Sequence, residues 1–348
     1  MSYARTISVC RHVTGYPHAT CRPAPRCPRP QPLPGLSHLT ALCRDTKPAQ
    51  PRRTLHTRTP TRTPTRAPTR TPTHYTACTH PIPMVSVKVP STPAAFTEAL
   101  AAYIIDQQDA ALKRSNRFNV AISGGSLVSQ LYEALVKDPR SAPKVHWAQW
   151  HIYFCDERLV PLNDPDSNYG AFKHHVLDPL LAHHENATPP ILGPTCYAIN
   201  ESLVGLDEND RIADEYASLL PGAGFDLVLL GCGPDGHTCS LFPGERHAFL
   251  LEEQKRPVMW CPESPKPPAD RITFTLPVLR AARALCFVAQ GAGKRAVLQR
   301  ILGGADGTAH DSADTPLPCA RVNAECPHTT TWFLDTEAAG DIAARADM

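Results

Sequence analysis

The sequence predicts an α/β fold, a Rossmann-like and mostly parallel sheet flanked by helices on both faces, preceded by a disordered N-terminal tail. Three observations predict it. From Met84 onward, short apolar runs alternate with runs of helical period, the signature of strand–helix–strand units. Several of the apolar runs, such as 225–230, carry no polar alternation, as strands buried on both faces do. Charge and proline also divide the chain: residues 1–83 carry a net +12 and 15 of the 37 prolines, whereas 84–348 carry a net −10. The formal net charge of +2 is therefore an average over unlike parts. It does not argue for a nucleic-acid partner.

The tail, 1–83, contains RTPTRTPTRAPTRTPT at 58–73. Proline at every fourth position forbids a helix, and there is no apolar face to bury, so the segment reads as disordered with polyproline II character. Three readings stand side by side. An Arg- and Thr-rich, acid-poor leader is similar to an organelle transit peptide, although it lacks amphipathic periodicity. A basic repeat also suits nucleic acid or anionic lipid. The third is an upstream extension without consequence, since Met84 opens the first folded pattern.

The body, 84–348, is the size of one large α/β domain or two small ones, long enough to bury roughly 70–75% of its unfolded surface. Residues 85–89 alternate as a strand, and Ser91 is placed to cap a long helix through Phe96, Leu100 and Ile104. Residues 118–122 form a second strand and 127–136 a helix. Residues 150–155 form a strand and 168–177 a helix. Residues 210–220 are helical, followed by the apolar strand 225–230. Strands are predicted at 258–261, 272–275, 284–289 and 331–334, with a helix at 294–302. No stretch reaches the ~18 consecutive apolar residues of a membrane helix.

In such sheets the ligand sits beyond the carboxyl ends of the strands, so the residues after each strand are the informative ones. Ser123-Gly124-Gly125-Ser126 follows the second strand and opens a helix. Its glycines admit an anion to the backbone N–H groups, its hydroxyls add donors, and the helix N-terminus adds positive potential. A plain Gly-rich turn is the alternative. Asp156-Glu157-Arg158 follows the next strand; Arg158 offers a bidentate grip on a phosphate or carboxylate, or else an ion pair tethering the loop.

Gly231-Cys232-Gly233-Pro234-Asp235-Gly236-His237 follows the apolar strand. It matches a dinucleotide-type GxGxxG pattern, but Pro243 and Gly244 stop any helix and the motif lies mid-chain. His237 is the stronger feature. An imidazole titrating near neutrality can take a proton from water, and Asp235, two residues earlier, can fix its tautomer. Gly291-Ala292-Gly293-Lys294 brings an ammonium to the sheet's carboxyl edge, without the spacing of a Walker A loop. Arg271, just before the run 272–275, is a further candidate. The pairs His174-His175 and His183-His184 read as surface.

There are thirteen cysteines. With no CxxC pair and no secretory signal, they read as buried free thiols in a reducing compartment rather than as disulfides or a metal site.

Together these segments closely resemble the 6-phosphogluconolactonase family of the pentose phosphate pathway. The resemblance rests on SGGS at 123–126, DERLVPLNDPDSNY at 156–169, GCGPDGHTCSLFPG at 231–244, RITFT at 271–275 and GAGK at 291–294. It covers 84–348 and none of the tail. The sister glucosamine-6-phosphate deaminases and isomerases share the SGG and GxGxDGH signals, but typically carry DEY and an IAFNEP-like run where this chain has Asp156-Glu157-Arg158 and Ser240-Leu241-Phe242-Pro243. The resemblance implies hydrolysis of 6-phospho-D-glucono-1,5-lactone to 6-phospho-D-gluconate without metal or nucleotide cofactor, a deaminase or isomerase being the alternative. It implies His237 as general base, with Asp235 orienting it. It also implies a phosphate against Ser123, Gly124, Gly125 and Ser126, neutralised by Arg158 and Lys294, with Asp156 and Arg271 at the substrate. Oxyanion donors are expected from backbone N–H groups of the 231–236 loop or from a cationic side chain. The partner implied is a small sugar-phosphate lactone, with no nucleic acid or membrane, acting as a monomer or weak dimer. The compartment implied is the cytoplasm, or an organelle such as a plastid if the tail acts as a transit peptide.

Overall fold

The computed structural model describes residues 85–183, 192–303 and 317–342. The N-terminal tail and the side chains of His183 and His184 lie outside the described residues. The strands are β1 (Ser86–Lys88), β2 (Phe118–Ile122), β3 (Trp150–Phe154), β4 (Asp156–Arg158), β5 (Thr195–Cys196), β6 (Leu227–Gly231), β7 (Val258–Cys261), β8 (Arg271–Phe274), β9 (Leu285–Ala289) and β10 (Thr330–Leu334). Seven of them form one sheet in the order β1-β10-β9-β6-β2-β3-β5, every pair parallel. The predicted α/β class is therefore observed.

The helices fall on the two faces in chain order. α1 (Pro93–Ser115), α2 (Ser126–Tyr132), α3 (Asn168–Phe172) and α4 (Asp178–His183) cover one face. α5 (Asn209–Ala217), α6 (Ala248–Glu252), α7 (Leu276–Arg280), α8 (Arg295–Leu302), α9 (Pro318–Glu325) and α10 (Thr336–Ala339) cover the other. Alternation along each strand feeds both cores. Leu227 and Leu229 point to the first face, Val228 and Leu230 to the second. Phe333 packs against Phe96 of α1, while Trp332 stacks on Phe287 at 4.0 Å on the opposite side. Each such fully buried side chain contributes about 1.5–3 kcal/mol.

Among the described residues no helix is long and apolar enough to cross a membrane. The eight cysteines of the body are free and buried.

Three local differences from the sequence reading have physical causes. The N-cap of α1 is Thr92, not Ser91: its hydroxyl accepts from the Ala95 N–H at 3.1 Å, and Pro93 occupies the first helical position, where no N–H is required. The predicted helices at 127–136 and 168–177 both pass into a wider π turn, at Glu133–Lys137 and Lys173–Leu177. The strands read at 258–261 and 272–275 do not join the parallel sheet. They form β7 and β8 of a separate three-stranded antiparallel sheet, order β4-β8-β7, packed on the second face.

The strand order reverses direction between β2 and β6. From β2 the chain proceeds outward through β3 to β5; from β6 it proceeds the other way through β9 to β10. That is the topological switch point, where adjacent loops part and leave a crevice at the carboxyl edge.

Candidate active site

A cleft of about 300 Å³ opens at this switch point, within the usual size range for small-ligand sites. The loops after β2, β6 and β9 and the antiparallel strands β4 and β8 wall it in. Every sequence-predicted site residue lies on this cleft except Asp235 and Gly236 of the β6 loop, and Asp235 reaches it through His237.

The β2 loop forms one wall. The backbone at Gly125 takes φ +70°, a left-handed conformation open to glycine, before α2 begins. At Gly124 a Cβ would overlap the Asn168 amide, so the close approach of these two elements needs glycine. The Ser123 hydroxyl is buried and has no hydrogen-bond partner among the described residues. A buried hydroxyl without a partner costs free energy, so a ligand oxygen within reach would relieve it.

β4 forms the second wall and is braced from below. Glu157 is 1% exposed. One carboxylate oxygen accepts from the Arg158 and Asn168 N–H groups at 2.8 and 2.7 Å; the other accepts from the Tyr169 N–H at 2.9 Å and the Ser167 hydroxyl at 3.2 Å. Burial pushes this carboxyl up to about 7 against the pull of the backbone N–H groups. All four neighbours donate, so the geometry accommodates the ionised form. The brace fixes Asp156 and Arg158 on either side. Asp156 accepts from the Ser240 hydroxyl at 2.7 Å and from Asn168 Nδ2 at 3.3 Å. Arg158 donates through Nη1 to the Asp166 carbonyl at 2.6 Å, while its Nε has no partner among the described residues.

The β6 loop carries the titratable pair. The Gly233 N–H donates to the His237 carbonyl at 2.9 Å and the Gly236 N–H to the Gly233 carbonyl at 3.0 Å, a tight turn completed by Gly236 at φ +80°. This turn holds Asp235 Oδ1 at 2.5 Å from His237 Nδ1. A carboxylate only accepts, so Nδ1 donates and Nε2 keeps its lone pair. The His237 ring packs on buried Phe242, centroids 4.8 Å apart. Burial lowers the His237 pKa, and the opposing hydrogen bond that Nδ1 donates to Asp235 does not restore it. The imidazole is therefore neutral at neutral pH. Burial also raises the Asp235 carboxyl, but the His237 hydrogen bond and the charges of His237 and Lys266 outweigh it, and the net shift is downward.

The turn also spends two backbone donors. The N–H groups of Gly233 and Gly236 are committed to carbonyls within the loop. Of the two oxyanion sources expected from the sequence, the cationic side chains gain weight accordingly.

Lys294 lies on the cleft beyond Gly291, whose φ of +87° turns the chain out of β9. Its backbone N–H donates to the Gly291 carbonyl at 3.0 Å, while its ammonium lies on the cleft wall without an ion pair among the described residues. Arg271 is the first residue of β8 rather than a flanking one, opposite Arg158 in register. Its Nε and Nη2 donate to the carbonyls of Pro268, Lys266 and Pro267 at 2.9–3.0 Å. Its Nη1 lies 3.5 Å from the Ser240 hydroxyl and 4.0 Å from Asp156. Most of this buried guanidinium is thus spent holding the 266–268 segment.

Asn168 and Lys266 are among the cleft residues to which the sequence reading assigned no role. Asn168 packs close to Gly124 and donates to the Asp156 carbonyl at 2.8 Å and its carboxylate at 3.3 Å; the serine cap before it was the available signal. Lys266 places Nζ 3.0 Å from His237 Nδ1 and 3.3 Å from Asp235 Oδ1. Nothing in its proline-rich surroundings marked it. His174 and His175 are exposed, as expected.

A parallel α/β sheet whose carboxyl-edge cleft gathers an Asp–His pair, a Gly/Ser loop and cationic side chains has the make-up of an enzyme site for a small anionic ligand. The comparisons agree with that class. Residues 91–332 match the family model described as glucosamine-6-phosphate isomerases/6-phosphogluconolactonase, and the chain belongs to that family. It is 49% identical over 261 residues to 6-phosphogluconolactonase 3 of Saccharomyces cerevisiae, covering 74% of this chain and 98% of that protein. It is 43% identical over 232 residues to the 6-phosphogluconolactonase of Homo sapiens, covering 64% and 80%. Among solved structures, the 6-phosphogluconolactonase of Trypanosoma brucei superposes with a TM-score of 0.57 at 29% identity, covering 74% of this chain and 98% of that one.

Proposed function

We propose that this chain hydrolyses 6-phospho-D-glucono-1,5-lactone to 6-phospho-D-gluconate by general-base activation of water. The observation that carries the reading is the Asp235–His237 pair, its Nε2 side unbonded among the described residues, in one cleft with an unpartnered buried Ser123 hydroxyl, Arg158 and Lys294. The relatives named above support the choice of substrate.

The steps follow from the groups present. The phosphate dianion sits at the 123–126 loop, with Ser123, the first turn of α2, Arg158 and Lys294 supplying donors and positive charge. The body's net −10 opposes an anion at long range, so this local cluster does the work of attraction. His237 Nε2 takes a proton from water as the water oxygen bonds to the lactone carbonyl carbon. Asp235 holds the ring and stabilises the imidazolium that forms. A neighbouring cationic side chain offsets the oxyanion, an effect commonly worth ~10²–10³ in rate. The tetrahedral intermediate then expels the ring oxygen, which receives the proton from His237 and becomes the 5-hydroxyl of the product. General-base assistance of this kind is worth ~10²–10⁴.

Parallel incubations with the freshly generated lactone and with glucosamine 6-phosphate test the reading. Lactone loss well above the spontaneous rate, without ammonia release from the amino sugar, is expected. Ammonia release with lactone loss at the spontaneous rate would replace this reading with a deaminase.

A further inference from the structure

We propose that Lys266 is a positioning residue for His237: held against Nδ1 by the Arg271-braced 266–268 segment, it shares the Asp235 carboxylate and keeps the imidazole in its neutral, base-competent form. The inference rests on the general-base reading above.

Three groups meet around one ring nitrogen. Asp235 Oδ1 lies 2.5 Å from Nδ1, Lys266 Nζ lies 3.0 Å from the same nitrogen, and Lys266 Nζ lies 3.3 Å from Oδ1. Nδ1 has one site with which to donate or accept, so it cannot bond both partners. The proton belongs between Nδ1 and the carboxylate. The ammonium is then left bonded to Oδ1 and facing an N–H, where it opposes any second proton on the ring.

Burial disfavours the charged ring, and Asp235 pulls the other way. A lone carboxylate at that distance favours the imidazolium, and a ring that is charged at neutral pH cannot take a proton from water. The remaining charges near the ring are Asp156, which also favours the imidazolium, and Arg271, over the Phe242 ring at 5.7 Å, with Arg158 and Lys294 on the cleft walls. Lys266 is the cation in hydrogen-bond contact with the pair. Burial is the first cause of the lowered His237 pKa, and the Coulombic effect of Lys266 acts in the same direction, in line with the geometry.

The placement is built. Arg271, 3% exposed, donates three hydrogen bonds to the consecutive carbonyls of Lys266, Pro267 and Pro268. The Ser264 hydroxyl donates to the Lys266 carbonyl at 2.9 Å, and the Lys266 N–H lies 3.3 Å from that hydroxyl. A buried cation thus fixes the backbone from which a half-exposed cation reaches the base.

The test is an NMR titration of the His237 imidazole in the full chain without substrate, the resonance assigned by its loss in His237→Gln. Lys266→Met is expected to raise the midpoint by about one pH unit, and Lys266→Arg to hold it near the wild-type value. In the lactonase assay the acid limb of kcat/KM should move upward with the NMR midpoint. Lys266→Gln serves if the Met variant folds poorly, and its midpoint should rise likewise. An unmoved or lowered midpoint overturns the proposal, and so does an unmoved acid limb with a strongly raised KM, which would make Lys266 a substrate contact. Because the titration needs no substrate, failure of the lactonase reading in the wild-type enzyme is distinguishable from failure of this one.

Discussion

Gly233→Ala should abolish most activity without altering any functional side chain. A Cβ at position 233 would overlap Nδ1 and Cε1 of His237 and come within 2.5 Å of Asp235 Oδ1. Gly233 has no positive φ, so alanine fits the backbone itself, and the strain falls on the side chains. The imidazole is 17% exposed and has the cleft on one side, so it can swing away at modest cost. Overpacking of this kind costs about 1–3 kcal/mol. Swinging away breaks the bond to Asp235 and moves Nε2 by an ångström or more. A misplacement of that size costs ~10² in rate, and complete loss of the base ~10²–10⁴. The expected result is therefore a kcat at least about a hundredfold lower with a thermal midpoint only a few degrees down. Lactonase kinetics and thermal unfolding of the same preparation measure both. A variant that folds and retains near-normal kcat would refute the geometry assigned to the Asp235–His237 pair.

Three further outcomes are expected. Because burial lowers the His237 pKa, kcat/KM should hold through neutrality and fall on acidification, with a midpoint below the ordinary imidazole value; a pH–rate profile corrected for spontaneous hydrolysis checks it. Arg158→Met should raise KM strongly for the phosphorylated lactone and much less for the unphosphorylated one, which steady-state kinetics on the two substrates would show. Glu157→Gln replaces a fourfold acceptor by an amide. Its NH2 can face the Ser167 hydroxyl, but the Tyr169 N–H then loses its acceptor, so denaturant unfolding should show a loss of about 1–3 kcal/mol.

The parallel sheet and most of its cleft were legible because they rest on local signals. β2 lies where periodicity placed it, and the loops after β2, β6 and β9 announced themselves by glycine following an apolar run. The antiparallel sheet was not legible as such. Asp156-Glu157-Arg158 carries no strand pattern, and its pairing with β8 depends on a partner more than a hundred residues away. Lys266 was hidden for the same reason: Arg271 and the fold bring it to His237, not any feature of its own segment. Arg271 itself was noticed, but its commitment to three carbonyls could be seen only once the 266–268 turn was formed.

The central claim is that His237 activates water against a phosphorylated lactone. The most direct measurement is turnover of freshly generated 6-phospho-D-glucono-1,5-lactone by the full chain beside its His237→Gln variant. The expected result is a wild-type rate far above spontaneous hydrolysis and a kcat at least about a hundredfold lower in the variant, with the fold intact. A wild-type rate equal to the spontaneous one, or a folded variant with near-normal kcat, would contradict it.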